Sequence, residues 1–102
     1  FSNLVYLTNL IHLELGGTNI KNISFLRALT KLEVLHLDRC VKIIDFRPIA
    51  KLTNLYNLSL DWTLIRDLSI CDNLLNLHML SIYCCELIIS NTINERIKKY
   101  IL

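Results

Sequence analysis

One phrase recurs along this chain of 102 residues, and it constrains the fold more than any other feature. It reads L-x-x-L-x-x-L-x-L. It stands at Leu29–Leu37 as LTKLEVLHL, at Leu7–Leu15 as LTNLIHLEL, at Leu52–Leu60 as LTNLYNLSL and at Leu74–Ile82 as LLNLHMLSI. The starts at residues 7, 29, 52 and 74 lie 22, 23 and 22 residues apart. A period of about twenty to thirty residues marks a stack of small units, each burying its apolar face against the next. Four turns exceed the roughly three that such a stack needs.

The period divides the chain into repeats at 7–28, 29–51, 52–73 and 74–90, all in a single domain. Residues 1–6 read as a partial repeat, because Phe1-Ser-Asn-Leu4-Val-Tyr6 aligns with Ile23-Ser-Phe-Leu26-Arg-Ala28. The expectation is therefore a fragment, or a chain that has lost its true start. Hydrophobic residues make up 53% and charged residues 20%, which excludes a disordered or tail-like segment. A net charge of +2 is too small to argue for nucleic acid or an anionic membrane as partner. No apolar run reaches the roughly 18 residues of a membrane span.

Within each repeat the L-x-L pair alternates with polar or small residues, the period of a short strand. Leu13/Leu15, Leu35/Leu37, Leu58/Leu60 and Leu80/Ile82 are expected to face the core. Such strands stack in parallel, and the rest of each repeat supplies the return crossover. In the returns, Ile20/Ile23/Leu26, Ile43/Phe46/Ile49 and Ile65/Leu68/Cys71 fall three apart. That spacing suits 3₁₀ or irregular turns, and Pro48 also speaks against an α-helical interior. The second repeat carries one extra residue, expected as a bulge near Ile44. After each strand a fixed turn position holds Thr18, Cys40, Thr63 and Cys85. A hydroxyl or thiol there can donate as well as accept, so the position is read as turning inward to the loop backbone.

The pattern breaks after Leu87. Thr92 and Glu95 form a capping box, and Ile93, Ile97 and Ile101 recur on one helical face. Arg96, Lys98 and Lys99 take the other face and suit the negative end of the helix dipole. Residues 91–102 are therefore predicted to be a C-terminal capping helix over the last repeat. No matching cap stands at the other end, where Phe1, Leu4 and Leu7 would border an apolar edge suited to self-association or to further repeats.

These residues resemble the short class of leucine-rich repeats. The run L-x-x-L-x-x-L-x-L-x-x-T-x-I-x-x-I of the first and third repeats is similar to bacterial internalins and to the repeat-containing regulatory subunit of protein phosphatase 1. The second repeat, from Leu35 through Cys40 to Phe46, resembles the cysteine-bearing variant of bacterial and protozoan proteins. The resemblance implies an α/β fold: a right-handed leucine-rich repeat solenoid with a short parallel sheet on its concave face and an irregular or 3₁₀ convex side. It also implies protein recognition on that concave sheet, without catalysis.

If the leucines point in, the residues between and after them point out. Four columns result: His12, Val34, Asn57, Met79; Glu14, His36, Ser59, Ser81; Gly16, Asp38, Asp61, Tyr83; and Gly17, Arg39, Trp62, Cys84. The partner-binding set is read as His12, Glu14, His36, Asp38, Arg39, Asn57, Ser59, Asp61, Trp62, Met79, Ser81 and Tyr83. Trp, Tyr and Arg are enriched at binding hot spots, and Trp62 is the only tryptophan. Arg39 beside Trp62 invites a cation–π contact. Gly16-Gly17 either leaves room for an incoming loop or eases a tight turn. The residue types Ser59, His36 and Glu14 are those of a hydrolase triad, a remote alternative because no oxyanion hole is provided. Asp38, Asp61 and Glu14 offer fewer oxygens than calcium needs and are read as complementing a basic partner. Cys40, Cys71, Cys84 and Cys85 contain no C-x-x-C, so no zinc site, other metal or cofactor is expected. Unpaired buried cysteines suggest a reducing compartment, hence a cytoplasmic protein.

Overall fold

A computed structural model describes residue 4, residues 6–87, and residues 97, 99 and 101. Four strands, each three residues long, form one parallel sheet: β1 His12–Glu14, β2 Val34–His36, β3 Asn57–Ser59 and β4 Met79–Ser81. Their order in the sheet is their order in the chain. The register is set by the repeat: Leu13 pairs with Leu35, Leu35 with Leu58 and Leu58 with Leu80. Those four leucines are buried and form one line through the core. A slip of one residue would turn each of them out and its charged or polar neighbours in.

Three-residue strands make few bonds on their own, but the ladder runs past them. Leu15, Leu37 and Leu60 donate their N–H groups to the carbonyls of His36, Ser59 and Ser81. Two residues on, Gly17, Arg39 and Trp62 donate to Asp38, Asp61 and Tyr83 at 2.7–2.9 Å.

The returns follow the expected spacing of three. The 3₁₀ segments are η1 Ser24–Ala28, η2 Arg47–Lys51 and η3 Leu68–Cys71. Each buried side chain's own amide reaches back to the buried residue three before it: Leu26 to Ile23, Leu29 to Leu26 and Leu32 to Leu29. The second return repeats this at Ile49, Leu52 and Leu55, and the third at Leu74 and Leu77. A three-residue turn places every third side chain on one face, and all of these are buried. Pro48 sits in the first turn of η2, where its missing N–H costs nothing. Asn22, Asp45 and Asp67 each accept the amide of the residue two further on. These side chains open the three returns as Asx turns, a recurrence the reading of the sequence passed over.

The extra residue of the second repeat lies at Val41–Lys42, between the Cys40 turn and Ile43. Ile43 is fully buried while Val41, Lys42 and Ile44 are exposed. The predicted capping helix at 91–102 falls almost wholly outside the described residues. Of it, Ile97 is buried in the core, but Ile101 forms a parallel bridge with Leu80. That backbone pairing is extended, so the expectation of a helix running to the end is corrected at Ile101. Among the described residues the named elements are four strands and three 3₁₀ segments; Ile97 carries helical backbone, and most of the expected capping helix lies outside the described residues.

The Thr/Cys turn position behaves as its chemistry requires. Thr63 Oγ1 donates to the Leu60 carbonyl of its own turn at 2.7 Å. Cys85 Sγ donates to the same carbonyl at 3.0 Å, from one repeat away. Cys40 Sγ likewise reaches back to the Leu15 carbonyl at 3.0 Å. The pairs Thr18–Cys40 and Thr63–Cys85 touch at 3.8 and 3.9 Å. The cysteines thus tie repeat to repeat, whereas Thr63 closes its own turn. Cys40→Val, which fills the same buried space without a donor, should lower stability by about 1 kcal/mol. Cys40→Thr, which supplies a hydroxyl, should retain most of it. Urea midpoints with an unchanged slope check the pair, and equal losses in both variants would show that volume, not the donor, matters at this site.

A candidate binding surface on the concave sheet

Each strand presents its first and third residue on the face opposite the leucine line. The register sets Glu14, His36, Ser59 and Ser81 side by side, and His12, Val34, Asn57 and Met79 in the next row, with neighbours about 4.8 Å apart. His12, Glu14 and Met79 are exposed; Val34, His36, Asn57, Ser59 and Ser81 are half-buried. All eight therefore lie on one open surface, as the alternation predicts.

Its sharpest feature is at the β1–β2 end. Glu14 Oε1 accepts from His12 Nε2 at 2.9 Å and lies 3.3 Å from His36 Nδ1. The two imidazoles meet edge to face with centroids 5.7 Å apart. The hydrogen bond from His12, followed by the charges of His12 and His36, holds the Glu14 carboxyl below its ordinary value. Of the Ser59–His36–Glu14 line that suggested a hydrolase, only the His36–Glu14 contact forms among the described residues.

The third column is more structural than expected. Asp61 Oδ1 accepts from Ser81 Oγ at 2.6 Å and from the Tyr83 amide at 2.7 Å, so it braces β3 against the next turn. Asp38 instead leans towards Gly16, where an added Cβ would come within 2.9 Å of its carboxylate. Gly16 therefore makes room for Asp38 rather than for an incoming loop. The tight-turn alternative holds for Gly17, whose φ is +74°.

The fourth column shares that conformation. Arg39, Trp62 and Cys84 have φ of +61°, +56° and +58°, a left-handed geometry that costs a non-glycine residue about 1–2 kcal/mol. It is the turn that aims the Arg39 and Trp62 amides at the next repeat's carbonyls. Trp62 stays outside the core, 54% exposed, and Tyr83 beside it is 67% exposed. Trp62 also lines a groove of about 620 Å³ with Ile44, Leu64 and Arg66, at the edge where the sheet gives way to the turns. The expected Arg39–Trp62 cation–π contact is not among the ring contacts of the described residues. A stack that was not anticipated is: Tyr56 on His78, 5.0 Å apart and nearly parallel. Both hold the same position in successive repeats, just before the strand, which was the available signal.

The model of the family described as leucine rich repeats (2 copies) matches residues 8–46. No curated protein matches the chain. Among solved structures, an internalin (inlF) of Listeria monocytogenes strain 4b F2365 superposes with a TM-score of 0.81 at 36% identity. The match covers 87% of this chain and 26% of the internalin. An internalin C2 (inlC2) of the same strain gives 0.77 at 37% identity, covering 82% of this chain and 37% of that one.

The Glu14 carboxyl gives a titration to measure. Its folded value lies below the ordinary 4.5, so its contribution to stability is present above that pH and is lost as pH falls through the folded value. Carboxyl NMR titration should show the lowered midpoint, and His12→Ala should move it up. A midpoint indifferent to His12 would contradict the geometry.

Proposed function

Since the chain is a leucine-rich repeat protein similar to internalins over most of its length, we propose that it binds a partner protein on its concave sheet face, without catalysis. The observation that carries this reading is the exposure of Trp62 and Tyr83 on adjacent repeats. Large aromatic side chains held outside a core on a rigid scaffold are typical anchors of an interface. Trp62 stands at the left-handed turn position that Arg39 and Cys84 also hold, so its indole projects outward from a backbone fixed by the repeat. His36, Asp38, Arg39, Asn57, Ser59 and Met79 would surround the aromatic pair as the polar and adaptable rim.

Localisation belongs to the same reading. The Cys40 and Cys85 thiols are spent as donors to main-chain carbonyls, a role that oxidation would abolish, and we place the chain in a reducing, cytoplasmic setting. No described helix is long and apolar enough to cross a membrane.

Affinity capture with the chain as bait, read by mass spectrometry, identifies the partner. Trp62→Ala should then weaken its binding by about 30-fold, the loss of a typical hot spot of about 2 kcal/mol, while the circular dichroism of the fold is unchanged. Equal binding by Trp62→Ala would exclude this face.

A second reading rests on a different observation. Tyr6, Leu7 and Ile11 are all exposed, Tyr6 by 80%, and β1 is an edge strand of the described sheet. An apolar strip beside an open strand edge suits self-association. Sedimentation across a concentration series should show a dimer that Leu7→Lys disperses; a monomer at every concentration would end this reading.

A further inference from the structure

We infer that His12, Glu14 and His36 form a binding site for a divalent transition-metal ion, Zn²⁺ being the ion it fits. The site goes beyond protein recognition and stands at the opposite end of the sheet from Trp62 and Tyr83. No single stretch of sequence contains it. His12 and Glu14 lie two apart on β1, hence on one face, and the in-register pairing of Glu14 with His36 brings the second imidazole from β2.

The ligand set is two imidazoles and one carboxylate, donors that suit zinc. Three protein ligands with an open fourth position are a known zinc arrangement. The distances fit as well. Zinc bonds of about 2.0–2.1 Å in a tetrahedron set neighbouring ligand atoms about 3.3 Å apart. Here Glu14 Oε1 stands 2.9 Å from His12 Nε2 and 3.3 Å from His36 Nδ1, and one ligand atom from each residue lies within 4.8 Å of the other two. Only small side-chain rotations separate this arrangement from a coordination sphere, because the strands already fix the three Cα positions.

Access and support point the same way. The side chains of His12 and Glu14 are 55% and 61% exposed, and that of His36 is 29% exposed. An ion can therefore enter from the concave side and keep water, or a partner's donor, at its open position. His36 is held more firmly than the other two, as the inner member of the site.

Isothermal titration of ZnCl₂ into the chain near neutral pH tests the inference. A Cys84→Ser background removes the exposed thiol as a competing ligand. The expected result is saturable binding of one ion per chain. His36→Ala and His12→Ala should each weaken it by at least about tenfold, since even loss of an outer-shell partner costs roughly 10–100-fold. His78→Ala, a histidine outside the site, should leave it unchanged. Imidazole nitrogen resonances of His12 and His36 should shift on adding Zn²⁺. Absence of saturable binding, or binding that survives both His12→Ala and His36→Ala, overturns the site. His12 is exposed, so His12→Ala keeps the test valid should His36→Ala fold poorly.

Discussion

Each turn of this coil exchanges backbone hydrogen bonds with the turns on either side of it. Glu33, Val34, Tyr56, Asn57, His78 and Met79 receive the strands by bonding back to the preceding turn, and the pairs at Leu15, Leu37 and Leu60 carry the ladder through. A buried amide left unpaired costs about 1–3 kcal/mol, so the chain cannot shift one turn against another without breaking several bonds at once. In-register stacking is thus the common condition of the leucine line, the polar columns and the Glu14–His36 contact. The left-handed residues belong to the same device. Arg39 and Trp62, both at positive φ, carry the ladder onward through their amides, and the bonds to Asp61 and Tyr83 offset the local strain.

The side chains on the two rims hold the stack by different means. On the side entering the strands, Asn54 and Asn76 donate to Thr30 and Thr53 of the preceding repeat, while Lys31 reaches Asn9. On the side leaving them, Cys40 and Cys85 reach the carbonyls of Leu15 and Leu60. The alternation of Thr and Cys therefore has a geometric sense: the cysteine bridges a repeat boundary, and its threonine neighbour meets it there. On the leaving side no such bond joins the Cys40 and Thr63 turns among the described residues; across that boundary the side-chain link is Asn54 to Thr30 on the entering side.

Much of this was legible because a repeat states its rules four times. The leucines at 13, 35, 58 and 80 announced their burial by recurrence, and the three-residue spacing of Ile20, Ile23 and Leu26 announced 3₁₀ returns. Trp62 could be placed outside the core from its position in the repeat, just past the inward pair Leu58 and Leu60, and the left-handed turn there carries its side chain out where strand parity would turn it in. What the sequence did not show is side-chain direction within a column. Asp38 and Asp61 occupy equivalent positions, yet one leans back to a glycine and the other forward to Ser81 and Tyr83. The difference follows the neighbours: Gly16 leaves open the space that Asp38 leans into, whereas the residue before Asp61 in the column is Asp38 itself. The cluster of His12, Glu14 and His36 was hidden for a related reason. Its members are unremarkable singly and meet only once the register is known.

The concave face can carry function because folding asks so little of it. The ladder satisfies the backbone, the leucines and isoleucines fill the interior, and the Asx turns and Thr/Cys clamps close the rims. Apart from Asp61, whose carboxylate braces the third and fourth turns, the outward residues of the strands have no part in the core. His12 and Met79 are exposed, so substituting either removes few buried contacts and leaves the scaffold in place. Asp61 lacks that freedom. A carboxylate that accepts two short hydrogen bonds cannot be exchanged without leaving the Tyr83 amide short of a partner, and Tyr83 is the residue that stands beside Trp62. On the proposed reading, recognition and stability are therefore separable over most of this surface and joined at Asp61, which holds the backbone beneath Tyr83.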